Sequence, residues 1–283
     1  MIQHDRERSG GQTFNVFKFW KRMLPDRLKQ KAMIGWYNYI GRVKTNGELL
    51  FLNHGFADPS AKGPQLPEAL EVHRYPIQLY HCIVSRADLA GRDVLEVSSG
   101  LGGGVVWISS CLNPRSVTGL DIAADAVKGC RERNRDGRAR FEIGDAQAMP
   151  FADASFDAIV NVESSLNYPD FAAFLREVVR VMRPGGHFMF ADYRSAKGYL
   201  RMKQALEKLN WKVVLAEDIS PAIARGLEHT RAKNRTDIQR FTPRFLRSTA
   251  LQFARLNTEA DDEAVAFANG KKRYLAMVLQ KPA

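Results

Sequence analysis

Three carboxylates stand at the ends of successive predicted strands, beside a turn rich in glycine. Glu96 lies in the first strand and is followed by the turn Gly100-Leu101-Gly102-Gly103-Gly104, while Asp121 closes the second strand and Asp145 follows the third. Glu96 would repel a pyrophosphate but can neutralise an ammonium group, Asp121 suits ribose hydroxyls and Asp145 suits an adenine amino group. No GxxxxGK[ST] segment is present, which argues against a phosphate-binding loop. The pattern therefore predicts S-adenosylmethionine as the cofactor rather than NAD.

Transfer of a methyl group from this cofactor requires an acceptor that is positioned and able to lose its proton. Any base must stand beyond the end of the fourth strand, where Glu163 is the one acidic residue in 161–168. Glu163 is therefore the first candidate for a general base, or for stabilising a carbocation if the acceptor is an alkene. The alternative is that it positions the cofactor or holds its loop. Tyr168, Asn167 and Tyr193 are candidates for orienting an acceptor hydroxyl.

Three further residues lie upstream of the first strand. His81 and Tyr80 could reach the same pocket from a predicted helix, and His81 joins the catalytic candidates. For His81 and His54 a structural role with satisfied hydrogen bonds is the more ordinary expectation. No His, Asp or Glu cluster has metal-ligand spacing, so we expect no metal.

The elements that must position these residues alternate between strand and helix. The predicted strands are 93–97, 116–121, 140–143, 156–161 and 187–192, and the predicted helices between them are 105–112, 123–134 and 170–182. This alternation indicates right-handed crossovers and an α/β fold, a Rossmann-like three-layer sandwich with a mainly parallel sheet. Two late strands, 251–257 and 273–280, are expected to pair antiparallel at the sheet edge.

Four regions are predicted along the chain. They are an N-terminal helical lid or extension (1–75), a cofactor-binding core (76–194), a helical cap or substrate region (195–245) and C-terminal edge strands (246–283). The aromatic and basic segment 14–40 has three possible roles. It could be a helix pair packed on the core or exchanged between subunits, a lid over an apolar pocket, or a helix on a membrane surface.

Composition narrows the class of protein. The 283 residues are 45% hydrophobic and 26% charged, which is ordinary for a globular chain and excludes a disordered or fibrous one. No run is long enough to cross a bilayer, no secretory signal is seen and the three cysteines form no framework, so we expect a cytoplasmic protein.

Charge is unevenly distributed along the chain. Residues 1–92 hold 14 Lys/Arg against 8 Asp/Glu, 93–194 hold 11 against 14, and 195–283 hold 17 against 9. The basic flanks suit an anionic partner, although they could equally serve solubility. Nucleic acid is an unlikely partner by this reasoning, because no recognition module accompanies the charge.

Residues 94–192 resemble the class I S-adenosylmethionine-dependent methyltransferases. Within that class they are most similar to the small-molecule and lipid methyltransferases of the phthiotriol/phenolphthiotriol dimycocerosate type. The segments that carry the resemblance are Leu95-Glu96-Val97-Ser98, Gly102-Gly103-Gly104, Thr118-Gly119-Leu120-Asp121, Gly144-Asp145-Ala146, Pro150-Phe151, Ser155-Phe156-Asp157, Asn161-Val162-Glu163-Ser164 and Arg183-Pro184-Gly185-Gly186, with Asn53-His54-Gly55 and Leu79-Tyr80-His81 as weaker echoes.

The resemblance implies roles for individual residues. Cofactor contacts are implied for the methionine end (Glu96, Gly100, Gly102), the ribose (Asp121, Ile122), the adenine (Asp145, Ala146) and the backbone of strand four (Asn161, Val162), with Tyr75, Gln78 and Ser98 as further candidates. Ser98 stands where many members have glycine.

The expected activity is methylation of a lipophilic small molecule, such as a polyketide, terpenoid or lipid, in specialised metabolism, with O-methylation first. A C-methyltransferase of an isoprenoid or prenyl diphosphate is the close alternative, and an RNA-binding methyltransferase or a cofactor-binding protein without turnover is the alternative of another class. Peripheral membrane contact and a homo-oligomer are further possibilities.

Overall fold

The computed structural model describes residues 26–43, 48–60, 62–135, 137, 139–244, 247 and 263–283. Two sequence-based expectations fall wholly or partly elsewhere. The first part of the predicted N-terminal lid and the predicted strand 251–257 lie outside the described residues.

The sheet carries seven strands within the described residues, in the order β3-β2-β1-β4-β5-β7-β6. The strands are β1 (Asp93–Val97), β2 (Ser116–Asp121), β3 (Ala139–Ile143), β4 (Phe156–Val162), β5 (Met182–Ser195), β6 (Lys212–Asp218) and β7 (Lys272–Gln280). Strands β1 to β5 pair in parallel, and β7 runs antiparallel to both of its neighbours, β5 and β6. The central strands are short runs of buried apolar residues, as expected where helices cover both faces of a sheet.

Helices cover both faces of this sheet. They are α1 (Asp26–Arg42), α2 (Glu68–Glu71), α3 (Arg74–Val84), α4 (Gly103–Cys111), α5 (Ala124–Arg133), α6 (Phe171–Val181), α7 (Ala196–Glu207), α8 (Ser220–Phe241) and α9 (Glu263–Ala268), with a 3₁₀ turn at Ser165–Asn167. One apolar core packs Ile77 of α3 and Trp107 of α4 on one face, and a second packs Phe174 of α6 and Leu206 of α7 on the other. The predicted three-layer α/β fold is confirmed.

Segment 273–280 forms β7, a late antiparallel strand as predicted, and the prediction for 251–257 lies outside the described residues. β7 lies one strand in from the sheet edge, which β6 occupies. β6 comes from the predicted cap 195–245, whose described residues otherwise form α7 and α8. β6 escaped notice because only its central residue, Leu215, is buried, so its sequence lacks the apolar alternation of an interior strand.

Helix α1 lies across the core and reaches α8. Gly41 sits directly on α5, where an added Cβ would stand 2.5 Å from the Cα of Ala126. Beside it the side-chain oxygen of Asn38 accepts a hydrogen bond from the Asp125 amide at 2.9 Å. At the α8 end the Tyr39 hydroxyl donates to the carbonyl of Phe241 at 3.1 Å. α1 thus bridges the sheet domain and α8. No helix in the described part of the chain is long and apolar enough to span a bilayer.

Candidate active site

A cavity of about 420 Å³ opens at the carboxyl ends of the parallel strands. Its floor includes Ser98 after β1, Asp121 of β2, Asp145 after β3, Glu163 after β4 and Tyr193 of β5. This is the side of an open α/β sheet where ligands bind, and β1 and β4 flank the point at which the strand order reverses. Helices α1 and α8 form its roof.

The glycine turn after β1 contains residues with positive φ angles, as its glycine content predicts. Gly100 has a φ of +54°, and no atom lies within 4 Å of where its Cβ would stand. Gly102 has a φ of +82°, and a Cβ there would meet Cys130 and Phe141 at 3.0 Å. Ser98 also adopts a positive φ, of 57°, which explains why glycine is an apt residue at that position. A ligand in the cavity could therefore approach the backbone of this turn closely.

Asp121 joins the turn to the cavity. Its Oδ2 accepts a hydrogen bond from the Gly100 amide and its Oδ1 accepts one from the Ala123 amide, both at 2.8 Å. Burial is the largest influence on this carboxyl and raises its pKa, against the backbone hydrogen bonds that lower it. Ile122, beside it in the lining, is 38% exposed. A carboxylate next to an uncovered apolar side chain fits a ribose with its attached base.

Asp145 and Ala146 also line the cavity. The Oδ1 of Asp145 accepts a hydrogen bond from the Gln147 amide at 2.9 Å, which fixes the carboxylate at the end of β3. Together the accessible glycine turn and the two strand-end carboxylates fit S-adenosylmethionine as predicted.

Glu96 lies behind the turn, outside the residues that line the cavity. Its Oε1 accepts a hydrogen bond from the Tyr80 hydroxyl at 2.6 Å, and a Cβ on Gly104 would stand 2.6 Å from both of its oxygens. Burial raises the pKa of Glu96 to about 8, against the Tyr80 hydrogen bond that lowers it. Tyr80 does line the cavity, so Glu96 contacts the lining through its hydrogen bond with the Tyr80 hydroxyl and does not line the cavity itself.

Tyr168 belongs to a polar network at the ends of β1 and β4. Its hydroxyl lies 2.7 Å from the Ser98 Oγ and 3.0 Å from the Ser164 Oγ, and it accepts a hydrogen bond from the Asn161 amide at 2.9 Å. The same Asn161 amide donates to the Val97 carbonyl at 3.2 Å. The Tyr168 hydroxyl therefore faces the cofactor turn, and Asn161 holds the strand ends together from behind the lining.

Glu163 stands at the centre of a cluster that the sequence did not reveal. Its Oε1 accepts hydrogen bonds from the His54 backbone amide at 2.9 Å and from the Tyr274 hydroxyl at 3.0 Å, and its Oε2 contacts His54 Nδ1. His54 Nε2 contacts Glu263, which in turn contacts Lys272. Glu163 has a φ of +51°, so these contacts hold a carboxylate whose backbone is in the left-handed region.

The acidic and cationic groups of this cluster are buried together. Burial alone would lower the pKa of the His54 imidazole, but Glu163 and Glu263 raise it to about 10. The Tyr193 ring packs against His54 edge to face at 4.8 Å between ring centroids. The Tyr274 hydroxyl has a pKa well above its usual value, because it is buried and lies beside Glu163.

The remaining predicted site residues lie outside the cavity lining. Tyr75 stacks on His229 with ring centroids 4.6 Å apart, Gln78 lies beside Gly63, and the His81 ring packs against Trp107 at 6.3 Å. Gly102 and Asn161 support the lining from behind. Of the predicted residues the cavity brings together Tyr80, Ser98, Gly100, Asp121, Ile122, Asp145, Ala146, Val162, Glu163, Asn167, Tyr168 and Tyr193.

Several lining residues were not predicted. For His54 the segment Asn53-His54-Gly55 gave a weak signal, although a structural role was the expectation. Glu263 gave none, because it reaches the site from a helix that begins 100 residues after Glu163.

The rest of the lining comes mainly from the roof and combines apolar side chains with polar and charged ones of α8, among them Arg231, Lys233, Asn234 and Asp237. The apolar side chains include Ile34, Trp36 and Ile40 of α1, Leu227, Ile238 and Phe241 of α8, and Leu50, Leu52 and Val72 of the connecting segment. Tyr37 of α1 reaches the polar floor, since burial and the charges of Asp121 and Glu163 raise the pKa of its hydroxyl. The cavity thus joins the polar groups at the strand ends to a mixed lining of apolar and charged side chains under the helices.

Comparisons with known proteins show which proteins this chain is similar to. Residues 95–190 match the family model of a methyltransferase domain. The chain is 37% identical over 221 residues to a fatty-acid O-methyltransferase of Mycolicibacterium smegmatis, covering 78% of this chain and 81% of the relative. It is also 37% identical over 218 residues to a phthiotriol/phenolphthiotriol dimycocerosates methyltransferase of Mycobacterium tuberculosis, covering 77% and 81%.

Solved structures show the same fold at lower identity. The geranyl diphosphate C-methyltransferase of Streptomyces coelicolor gives a TM-score of 0.64 at 16% identity, covering 92% of this chain and 99% of that one. A putative sarcosine dimethylglycine methyltransferase of Galdieria sulphuraria gives 0.63 at 16% identity, covering 82% and 94%.

The fold, the glycine turn and the strand-end carboxylates define a class I methyltransferase whose cofactor is S-adenosylmethionine. Within that class, the chain belongs to the family of the fatty-acid O-methyltransferase and the phthiotriol/phenolphthiotriol dimycocerosates methyltransferases.

Proposed function

We propose that the protein transfers a methyl group to a hydroxyl of a lipophilic small molecule in specialised metabolism. The observation that carries the proposal is a cavity that joins apolar side chains of α1 and α8 to the carboxylate of Glu163 at the strand ends. The names of the relatives, which act on fatty acids and on phthiotriol lipids, support an apolar acceptor.

The polar groups at the strand ends divide into a cofactor part and a reaction part. Ser98, Gly100, Asp121, Asp145 and their neighbours would hold the cofactor, which supplies an electrophilic methyl group together with its own leaving group when bound. The protein must then orient the acceptor, exclude water and take one proton.

Glu163 is the residue we propose for the proton. It follows β4 directly, lines the cavity, and is held by the His54 backbone amide, the His54 ring and the Tyr274 hydroxyl. Three hydrogen-bond donors hold the Glu163 carboxylate in one orientation, so its remaining lone pairs point in a fixed direction, where they can take the proton from the hydroxyl that is methylated. Helices α1 and α8 cover the cavity opposite the strand ends, which supports a lid role for the N-terminal region.

The test compares Glu163→Gln with Glu142→Gln, a matched control at the exposed end of β3. Methyl transfer to a panel of long-chain alcohols, phenolic lipids and fatty acids would be followed by product mass, and affinity for S-adenosylhomocysteine by calorimetry. We expect kcat for a hydroxyl acceptor to fall by about 10²–10⁴-fold in Glu163→Gln, with cofactor affinity close to that of the unmodified protein.

Fatty acids in the panel make the test specific. A carboxylic acid is already ionised near neutral pH and needs no base, so its methylation would survive Glu163→Gln. Efficient methylation of fatty acids but not of alcohols, unaffected by Glu163→Gln, would contradict the proposal. A product methylated on carbon would point instead to the isoprenoid alternative.

A further inference from the structure

We propose that Glu263 and Lys272 belong to the active centre as positioning residues, in a chain of alternating charges that runs Lys272–Glu263–His54–Glu163. The inference rests on the proposed role of Glu163. It adds two residues from the C-terminal part of the fold, one on α9 and one on β7, to a site otherwise built on the first five strands.

The contacts form an unbroken series. The Lys272 ammonium donates to Glu263 Oε1, Glu263 Oε2 contacts His54 Nε2, and His54 Nδ1 contacts Glu163 Oε2. The side chains of all four residues are at most 14% exposed. Buried charges persist only when they are paired, and here two carboxylates face one imidazole and one ammonium.

The hydrogen-bonding capacity of the two carboxylates indicates the protonation state of the His54 ring. An ionised carboxylate only accepts hydrogen bonds, and a neutral imidazole has a single N–H. A neutral His54 would therefore turn a lone pair towards either Glu163 or Glu263. Only the imidazolium donates at both nitrogens, so it is the form of the ring that gives each carboxylate a donor. The pKa of His54, which the two carboxylates raise to about 10, agrees with this assignment.

The consequence concerns Glu163. Its backbone is in the left-handed region, a strained conformation that persists because surrounding contacts hold the residue, and the His54 ring supplies one of them. Removal of the Glu263 charge would let His54 lose its proton at a lower pH. The neutral ring would keep its single N–H on Nδ1, towards the Glu163 carboxylate, and accept at Nε2 from the introduced amide, so Glu163 would exchange a charge-assisted hydrogen bond for a weaker neutral one.

The groups facing His54 come from several elements. Among the described residues, the titratable ones are Glu163 after β4, Tyr193 of β5, Glu263 of α9 and, through the carboxylates, Lys272 and Tyr274 of β7 and Tyr37 of α1. From α8 the hydroxyl of Thr230 reaches the His54 carbonyl at 3.4 Å. The carboxylates are the members of this set that stabilise the imidazolium, so each should affect its titration in a known direction.

The experiment follows His54 itself by NMR, in full-length protein with labelled histidine, using His54→Gln to assign its signal. In the unmodified protein the ring should titrate with a midpoint near the raised value. Glu263→Gln should lower that midpoint by about 1–3 pH units, the effect of removing one close opposite charge. Lys272→Met removes a like charge and should leave the midpoint unchanged or higher. Lys271→Met, at the exposed neighbouring residue, is the control.

Kinetics supply the second readout. At pH 9 the kcat of Glu263→Gln should fall about twofold if the His54 midpoint drops by one pH unit and about 10-fold if it drops by two, whereas at pH 6.5 it should stay within about threefold. The S-adenosylhomocysteine affinity should be unchanged at both pH values. A residue that merely supports the fold would reduce kcat equally at both pH values.

The outcomes separate this inference from the proposed function. If Glu163→Gln abolishes transfer while Glu263→Gln changes neither the His54 midpoint nor the pH profile, the positioning role is wrong and the function stands. If Glu163→Gln is fully active, the proposed function fails. Should Glu263→Gln not fold, Lys272→Met decides by sign, because a lowered midpoint there contradicts the charge chain.

Discussion

Replacing Asp121 with asparagine tests the cofactor end of the site most sharply. Asparagine keeps the size of the side chain but replaces one acceptor oxygen with an NH₂ group that only donates. In the structure the two carboxylate oxygens accept from the amides of Gly100 and Ala123, so one of these amides must lose its partner. Alanine would remove both partners and confuse loss of binding with loss of the turn.

The two effects have different magnitudes and different readouts. One lost charge-assisted hydrogen bond at a buried carboxylate should lower the free energy of unfolding by about 1–3 kcal/mol. If the carboxylate also binds the ribose, the cofactor should lose a further 2–3 kcal/mol, which corresponds to a roughly 30–150-fold rise in its dissociation constant. Urea unfolding of the ligand-free protein gives the first quantity, and calorimetric titration with S-adenosylhomocysteine gives the second.

Glu142→Gln serves as the control, because this carboxylate lies near the end of β3, is about half exposed and pairs with Arg131 outside the cavity lining. It should bind S-adenosylhomocysteine within about twofold of the unmodified protein. The reasoning is refuted if Asp121→Asn lowers stability as expected but leaves the dissociation constant unchanged. Asp121 would then serve only as the acceptor that shapes the turn.

Two further predictions concern stability. Gly104→Ala should lower the free energy of unfolding, measured in urea, by about 2 kcal/mol or more, because the new Cβ would stand 2.4 Å from a ring carbon of Tyr80 and 2.6 Å from the Glu96 oxygens. Gly35→Ala is the control: its Cβ meets no atom within 4 Å, so it should be neutral or slightly stabilising. The free energy of unfolding should fall as pH rises from about 7 to 10, because the raised pKa of His54 favours the folded state only while the ring is protonated. The slope should reach at most about 1.4 kcal/mol per pH unit and should be smaller in His54→Gln. An identical slope in the two proteins would contradict the prediction.

Much of the fold could be predicted because its signals are local. The strand 116–121 ends at Asp121 in the sequence and in the structure, and the helix predicted over 170–182 is α6, capped by Asp170 through the amide of Ala173 at 2.9 Å. Each of these depends on residues within a few positions of one another. β6 was missed because a strand at the edge of a sheet exposes most of its residues and loses the pattern of a buried one.

The cofactor end of the site was predictable for a related reason. In a parallel sheet the carboxyl ends of all strands meet at one edge, so Ser98, Asp121 and Asp145 had to converge once their strands were assigned. Which carboxylates touch the cavity was not predictable. Glu96 points behind the turn, a direction set by Gly104 and Tyr80 rather than by its place in the motif.

The reaction end depends on contacts across the whole chain. His54 and Glu263 are 209 residues apart and carry no motif between them, yet each completes the other's hydrogen bonding. Their pairing follows from the antiparallel return of β7 beside β5, which brings Lys272 over the Tyr193 ring at 4.4 Å and seats α9 against the same wall. A histidine judged alone is most simply a structural residue. Between two buried carboxylates we infer the imidazolium, and no local pattern contains that requirement, which links His54 to the role proposed for Glu163.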